Sequence, residues 1–421
     1  MTKRVDSILG EILEEVNISQ EELKEINLSL EEFLTKIKKS LKLLKLSAKV
    51  FVGGSFAKGT MIKKDNYDID IFIRFDKKHK DISLLTEKIL KMTKQKNIQK
   101  IHGSRDYFRI KLNQKLFFEV IPVKKIRNPK EAENITDLSH SHVSYIRGKV
   151  KKEKTLNEIK LAKAFCYANK CYGAESYISG FSGYSLEILI GHYKSFQKLI
   201  KVLSNVKDKF IIDVEKDYKN KNTILLDLNE SKIQSPVILI DPTYKTRNVL
   251  AALSEKTFQR FQKASKRFLK NPSKEEFNLK KIEIPKNKLN KNLLYLEIKT
   301  NRQEGDIAGS KLLKFYNHLK QEIERFFEIK VNDFEYNESD MAKAFFIVSK
   351  NKEILVSGPR TKDKEHIKKF KKKHKKTFVK KDRLYAKEKN TDLIKDFMKN
   401  WMKKNKKKMK EMSIEELKII N

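Results

Sequence analysis

The segment "YDIDIFIRF", residues 67–75, sets two aspartates two positions apart in an otherwise apolar run. Read as a strand, its alternation turns Tyr67, Ile69, Ile71, Ile73 and Phe75 one way and Asp68 and Asp70 the other. The two carboxylates then share a face, ~7 Å apart at their backbones. They repel unless a cation lies between them, and a divalent metal is the economical solution. The competing reading is an exposed edge strand with two solvated aspartates, which is disfavoured because aspartate is a poor strand former. A third acid, Glu119, is the only one in the apolar run "LFFEVIPV", residues 116–123, and is costly to bury unpaired. As an edge-strand gatekeeper it would need no partner; beside Asp68 and Asp70 it would complete the carboxylate set of a two-metal site.

The stretch "FVGGSFAKGT", residues 51–60, precedes these acids. Its "GGS" follows a strand-like run, and "FAKGTMI" is expected to begin a helix. Exposed backbone N–H groups at such a turn, from Gly54 onward, attract phosphate oxygens; Ser55 adds a hydroxyl donor and Lys58 a charge. A phosphate loop next to metal carboxylates describes nucleotidyl transfer. One metal ion would lower the pKa of an attacking 3′-hydroxyl and another would hold the triphosphate and the pyrophosphate leaving group. The protein's own work would be positioning and charge stabilisation. A glycine-rich loop alone is a weak signal; followed by the paired aspartates and a distant strand acid it is a strong one.

The elements that must carry these residues are legible in outline. Residues 5–16 and 19–46 read as amphipathic helices, the second opened by a capping box at Ser19–Glu22. Strands are expected at 48–52, 67–75, 106–112 and 115–121, with a helical period over 80–100, so that residues 1–145 form an α/β unit on one sheet. Residues 146–270 read as mainly helical: 155–203 broken by "ISGFSGYS", a short strand "VILIDP", then helical "RNVLAALS" and "EKTFQRFQKASKRFL". "NPSKEEF" reads as a linker. Residues 271–421 mix strands ("LLYLEIKT", "KAFFIVSK", "KEILVSG") with a helix at 310–326 and end in a lysine-dominated stretch, 362–411. Within it Leu393, Ile394, Phe397, Met398, Trp401 and Met402 form one helical stripe, read as core packing.

Length and composition agree with an enzyme that handles a polyanion. A chain of 421 residues suggests about two to four domains. Lys and Arg total 94 against 55 Asp and Glu, for a formal net charge of +39. Lysine-favouring codon usage would raise lysine, but it would raise glutamate too; a nucleic-acid partner is the better explanation. No apolar run approaches the ~20 residues that span a bilayer, and the N-terminus lacks the apolar segment of a signal peptide. Cys166 and Cys171 stand five apart without metal-ligand spacing. That excludes a disulfide scaffold and makes the cytoplasm the expected compartment. Oligomeric state is not readable; a homodimer stays open. A helix-turn-helix or finger signature of a DNA-binding protein is absent.

"GGSFAKGT…YDIDIFI…FFEVIPV" resembles the nucleotidyltransferase core of the polymerase-β superfamily. Residues 160–196, "KLAKAFCYANKCYGAESYISGFSGYSLEILIGHYKSF", narrow the resemblance to the archaeal-type CCA-adding enzymes, the tRNA nucleotidyltransferases. So do 241–261, "DPTYKTRNVLAALSEKTFQRF", and "VSGPRTKDKEHIKKF" leading to "RLYAKEK"; the likeness runs from about residue 45 to about 390. It implies an α+β multidomain chain: a polymerase-β-like catalytic head (1–145), a helical neck that recognises the nucleotide base (146–270), and a ferredoxin-like α+β body with a basic helical tail (271–421). It implies addition of C, C and A to a tRNA 3′ end from CTP and ATP with Mg²⁺, without a template, and tRNA held by its acceptor and T arms.

By residue, the resemblance implies metal binding at Asp68, Asp70 and Glu119. It implies triphosphate contacts at Gly54, Ser55 and Lys58 and, from the neck, at Lys163 and Tyr172. It implies a nucleotide contact near His142 and base reading by Arg247. Arg247 also has a physical case, since a planar fork of donors meets the acceptors of cytosine; a capping or ion-pair role at a helix start is the alternative. Lys58 stands where the family often has Arg, Glu119 where Asp is common, and Ser179 where a basic residue is usual. Other RNA 3′-terminal nucleotidyltransferases, of poly(A), CC-only or A-only type, are the nearest alternatives. A non-catalytic tRNA-binding protein is a more distant one, since all three acids are present.

Overall fold

The computed structural model describes residues 2–279, 292–302, 305–350, 354–388 and 393–420. Lys352 and Glu353, in the strand expected at "KEILVSG", and residues 391 and 392, at the start of the C-terminal helical stretch, lie outside the described residues. The chain divides into two compact units, residues 1–280 and 281–421, with an α+β mixture of helices and several sheets.

The first unit opens with helices α1 (Thr2–Val16) and α2 (Gln20–Leu43). The Ser19 side chain accepts from the Glu22 N–H at 3.2 Å while the Ser19 N–H donates back to Glu22 at 3.3 Å, the reciprocal capping box that starts α2. Next come strand β1 (Ala48–Val52), the single helical turn α3 (Gly54–Ala57), β2 (Tyr67–Phe75) and helix α4 (Ile82–Met92). Strands β3 (Ile98–Ile101), β4 (Tyr107–Lys111) and β5 (Leu116–Lys124) complete a sheet of order β1-β2-β5-β4-β3. The apolar face of α2 (Ile26, Leu30, Phe33, Ile37, Leu41) packs with Ile69, Ile71, Ile73 and Phe75 of β2 and Phe118 and Val120 of β5. That burial fixes the register of the sheet, because a one-residue slip would drive Asp68 and Asp70 into this core.

Two local expectations change here. The helical period over 80–100 ends at Met92, and residues 98–101 are strand β3. Lys94 (φ 55°) and Asn97 (φ 58°) take the left-handed conformation that breaks the helix between them. The loop after β1 makes only one turn of helix before the chain leaves through Gly59.

The rest of the first unit is mainly helical around a large core, with a smaller cluster of Ile224, Leu228, Ile238 and Ile240 beside it. It contains α5 (Ser139–Lys149), α6 (Glu153–Ala168), α7 (Gly183–Tyr193), α8 (Phe196–Leu203), β6 (Phe210–Ile212) and α9 (Lys221–Asp227). Strands β7 (Val237–Asp241) and β8 (Tyr244–Asn248) and helix α10 (Glu255–Lys270) follow. Val5, Leu9 and Ile12 of α1 join this core rather than that of α2. "RNVLAALS" is not helical: its first residues end β8, antiparallel to β7. Asn248 holds that hairpin, accepting from Leu239 N–H and Leu250 N–H and donating to Lys232 O. "NPSKEEF" is not a linker either. Phe277 meets Phe165, Phe196 and Phe268 edge to face at 5.4–5.6 Å between ring centroids, and Ser273 caps the short turn that carries it.

The second unit contains β9 (Leu293–Thr300), α11 (Asp306–Glu324), β10 (Phe327–Tyr336), β11 (Met341–Lys350), β12 (Ile354–Arg360) and α12 (Lys364–Lys373). After these come β13 (Thr377–Lys380), β14 (Arg383–Glu388), α13 (Ile394–Lys404), α14 (Lys406–Glu411) and β15 (Ile414–Ile419). Its main sheet has the order β10-β11-β9-β15, all antiparallel, and a smaller sheet has β12-β14-β13. Helix α11 covers the main sheet, and Ile394, Met398 and Trp401 of α13 enter the same core, so the expected stripe is packing. Helix α12 buries none of its side chains, and its lysines face solvent.

Candidate active site

Strands β2 and β5 run parallel, with Asp70 opposite Glu119 and Asp68 opposite Phe117. Strand β4 pairs on the other side of β5 and sets Arg109 opposite Glu119. A row of Asp70, Glu119 and Arg109 therefore crosses three neighbouring strands. Arg109 Nη2 donates to Asp68 Oδ1 at 2.9 Å, its Nε lies 3.9 Å from Glu119 Oε1, and its guanidinium carbon is 4.3 Å from the Phe117 ring centroid. Burial pushes the Asp70 carboxyl up to about 6; Lys58 opposes the rise and Asp68 adds to it. Among the described residues no three acid, His or Cys side chains close on a single point in the manner of a finished metal cage. The donor set still fits a hard divalent cation, since it consists of carboxylate oxygens on one face whose mutual repulsion a cation relieves.

The loop after β1 is folded onto these acids. Gly53 N–H donates to Asp70 O at 2.9 Å. Gly54 has φ +61°, and a Cβ there would overlap the Asp70 Oδ2, so both conformation and space demand glycine. Ser55 sits in the single turn that follows, with its carbonyl accepting from Thr60 N–H at 3.0 Å.

Lys58 leaves this turn toward α7. Its Nζ lies 2.5 Å from Glu187 Oε2, and Lys163 Nζ lies 2.8 Å from Glu187 Oε1. Thr60 Oγ1 donates to the same carboxylate at 2.6 Å and accepts from Lys163 at 2.8 Å. Glu187 is wholly buried and Lys163 nearly so. Burial alone would raise the Glu187 carboxyl, but the two lysines outweigh it and hold it at about 2. Burial lowers Lys163 to about 8, against the pull of Glu187. Tyr172 lies beside them, its hydroxyl raised above the ordinary phenol range by burial. A Cβ on Gly183 would press on that hydroxyl.

Arg247 and His142 meet at another buried acid, Asp241, the last residue of β7. Arg247 Nη1 donates to Asp241 Oδ2 at 2.6 Å, and His142 Nε2 is 3.3 Å from the same oxygen. The His142 ring stacks on Tyr184 at 4.0 Å, and Tyr184 Oη donates to Asp241 Oδ1 at 3.0 Å. Burial would raise Asp241, but His142, Arg247 and the Thr243 N–H hold it well below the usual carboxylate range; burial lowers His142, against the pull of Asp241. Lys58 Nζ lies 5.8 Å from the Tyr184 ring centroid, which links this cluster to the lysine pair.

Reading residue types along the chain missed Arg109, Tyr184, Glu187 and Asp241. A signal was present for the two acids. Each is the single acid of an apolar run, "SLEILIG" and "VILID", the same feature that marks Glu119.

Residues 157–278 match the family described as tRNA nucleotidyltransferase, second domain. Residues 3–156 match the second messenger oligonucleotide or dinucleotide synthetase domain. The chain is 38% identical over 278 residues to the CCA-adding enzyme of Nanoarchaeum equitans, a match covering 66% of this chain and 67% of that one. It is 29% identical over 409 residues to the CCA-adding enzyme of Methanocaldococcus jannaschii, covering 91% and 87%. Among solved structures, a cytoplasmic RNA terminal U-transferase superposes with a TM-score of 0.51 at 13% identity, covering 67% of this chain and 100% of that one. A poly(U) polymerase gives 0.51 at 13%, covering 66% and 100%. At that identity the two structures speak for a nucleotidyltransferase-type fold and nothing finer.

Proposed function

This chain belongs to the CCA-adding enzymes, the tRNA nucleotidyltransferases, and from that membership we propose how its residues divide the work. The activity is addition of CCA to tRNA, with tRNA, CTP and ATP as substrates. The observation that carries the assignment of the site is the register that sets Asp70 beside Glu119, with the Gly54 turn folded onto Asp70.

Asp68, Asp70 and Glu119 are the residues that would hold divalent cations, with Mg²⁺ as the expected ion. Bound there, the ions would supply activation of the 3′-hydroxyl and neutralisation of the triphosphate. The chain's own groups do the rest. Arg109 keeps Asp68 oriented in the absence of other cations. The Gly54–Ser55 turn offers backbone N–H groups and a hydroxyl to phosphate oxygens. Lys58 and Lys163 share one carboxylate between them, so the pair keeps a net positive charge facing the acids and the triphosphate. Tyr172 adds its hydroxyl at the same edge. Arg247, with His142 beside it, reads the nucleotide base.

The layout we propose is a catalytic head over 1–145, a neck over 146–270, and a body and tail over 271–421. The order β10-β11-β9-β15, with α11 between β9 and β10 and α13 and α14 before β15, supports a ferredoxin-like body. Phosphates of the acceptor and T arms would meet the lysine-rich surface that includes α12. No helix among the described residues is long and apolar enough to cross a membrane.

Product length separates this reading from a poly(A)-type, CC-only or A-only enzyme. With tRNA lacking CCA, CTP alone should add two residues, and CTP with ATP three. A ladder of many residues with ATP alone, or arrest at two with both nucleotides present, would contradict it.

A further inference from the structure

We infer that Asp241 is a positioning residue that makes Arg247 discriminate cytosine from uracil. The inference rests on the reading of Arg247 as the group that meets the base. Asp241 is wholly buried at the end of β7, and both its oxygens are occupied. Oδ1 accepts from Tyr184 Oη at 3.0 Å, Thr243 N at 2.8 Å and Thr243 Oγ1 at 2.7 Å; Oδ2 accepts from Arg247 Nη1 at 2.6 Å. Tyr184 is itself held by its stack on His142. The carboxylate therefore cannot turn, and it fixes Arg247 by one terminal nitrogen.

What Arg247 has left is defined by that bond. Its side chain is 25% exposed, and among the described residues its Nε and Nη2 make no hydrogen bond. These two atoms form one edge of the guanidinium, with parallel N–H donors at a fixed spacing. Cytosine presents two adjacent acceptors, O2 and N3, to such an edge. Uracil carries a hydrogen on N3, so one donor of a fixed edge faces another donor and stays unpaired. A guanidinium free to rotate could avoid that mismatch by pairing with a uracil oxygen alone. The selectivity thus comes from the anchoring as much as from the arginine, and a site built to donate hydrogen bonds rejects a base that cannot accept them.

The test is the ratio of kcat/KM for CTP to that for UTP, measured on tRNA lacking CCA, for the full chain and its Asp241→Asn and Arg247→Ala variants, with folding checked by thermal melting. The expected result is a ratio lowered at least about tenfold in both variants. A folded Asp241→Asn protein that keeps the ratio while Arg247→Ala loses it overturns the inference and leaves the base-reading role standing. A ratio unchanged in Arg247→Ala overturns that role and the inference with it. If Asp241→Asn does not fold, the double variant Tyr184→Phe, Thr243→Val, which strips both side-chain donors from Oδ1, takes its place with the same two outcomes. A loss of packing alone would slow both nucleotides together and leave the ratio where it was.

Discussion

Gly54 and Asp70 occupy each other's space: the Asp70 carboxylate stands where a side chain on residue 54 would begin. The turn after β1 and the acid on β2 are therefore one unit, tied again by the bond from Gly53 N–H to Asp70 O. The residues proposed to contact phosphate and those proposed to hold metal therefore cannot shift independently.

Gly54→Ala follows from this directly. Alanine is strained at φ +61° and must displace Asp70. A displacement of about 1 Å at a reacting centre costs about a hundredfold in rate. We expect a loss of that size in kcat for nucleotide addition, with circular dichroism unchanged because the strain is confined to a single turn. A variant with wild-type turnover would show that the contact is dispensable.

Glu187 joins the loop lysine to the helical core, and its removal leaves Lys163 buried without its main partner. Glu187→Gln should destabilise the fold by about 3–5 kcal/mol at pH 7. The pH dependence has a definite sign. Glu187 is held at about 2, below its ordinary value of 4.5. The stability it contributes is fully present above 4.5 and is lost as pH falls toward 2, where the unfolded chain takes up a proton first. Urea unfolding of wild type and variant should show the same gap at pH 7 and pH 5 and a narrower one at pH 3. A gap that widened on acidification would refute the ionised state of Glu187.

Phe277 tests the reassignment of "NPSKEEF" from linker to core. Its ring meets Phe165, Phe196 and Phe268. Phe277→Ala should cost about 3 kcal/mol in urea unfolding, whereas a linker residue would cost almost nothing.

The parts of the site that could be read along the chain share one property: their signal is local. Asp68 and Asp70 interrupt an apolar run two positions apart, so their shared face follows from the period of a strand, and the capping box of α2 is complete within four residues; the single acid Glu119 stands out of its apolar run in the same local way, although its place beside Asp70 comes from the pairing of β5 with β2. Glu187 and Asp241 were less legible because their meaning depends on remote partners. Glu187 is 129 positions from Lys58 and 24 from Lys163, and Asp241 meets Tyr184 across 57. A lone buried acid in an apolar run announces that a cation must be near, but not which one. Arg109 gave no signal at all, since an arginine in a polar-faced strand is ordinary until the register places it against Glu119. The missed β8 hairpin has the same origin: the side-chain bonds of Asn248 that hold it reach to β7 and to Lys232, beyond any local helical period.

The central claim is that the carboxylates gathered on β2 and β5 carry out CCA addition. Wild type and Asp70→Asn should be compared side by side on tRNA lacking CCA, with CTP, ATP and Mg²⁺, and with melting recorded for both. The account predicts a three-residue extension by the wild type and none by a variant that melts as a folded protein. Substantial extension by Asp70→Asn, or none by the wild type, would contradict it.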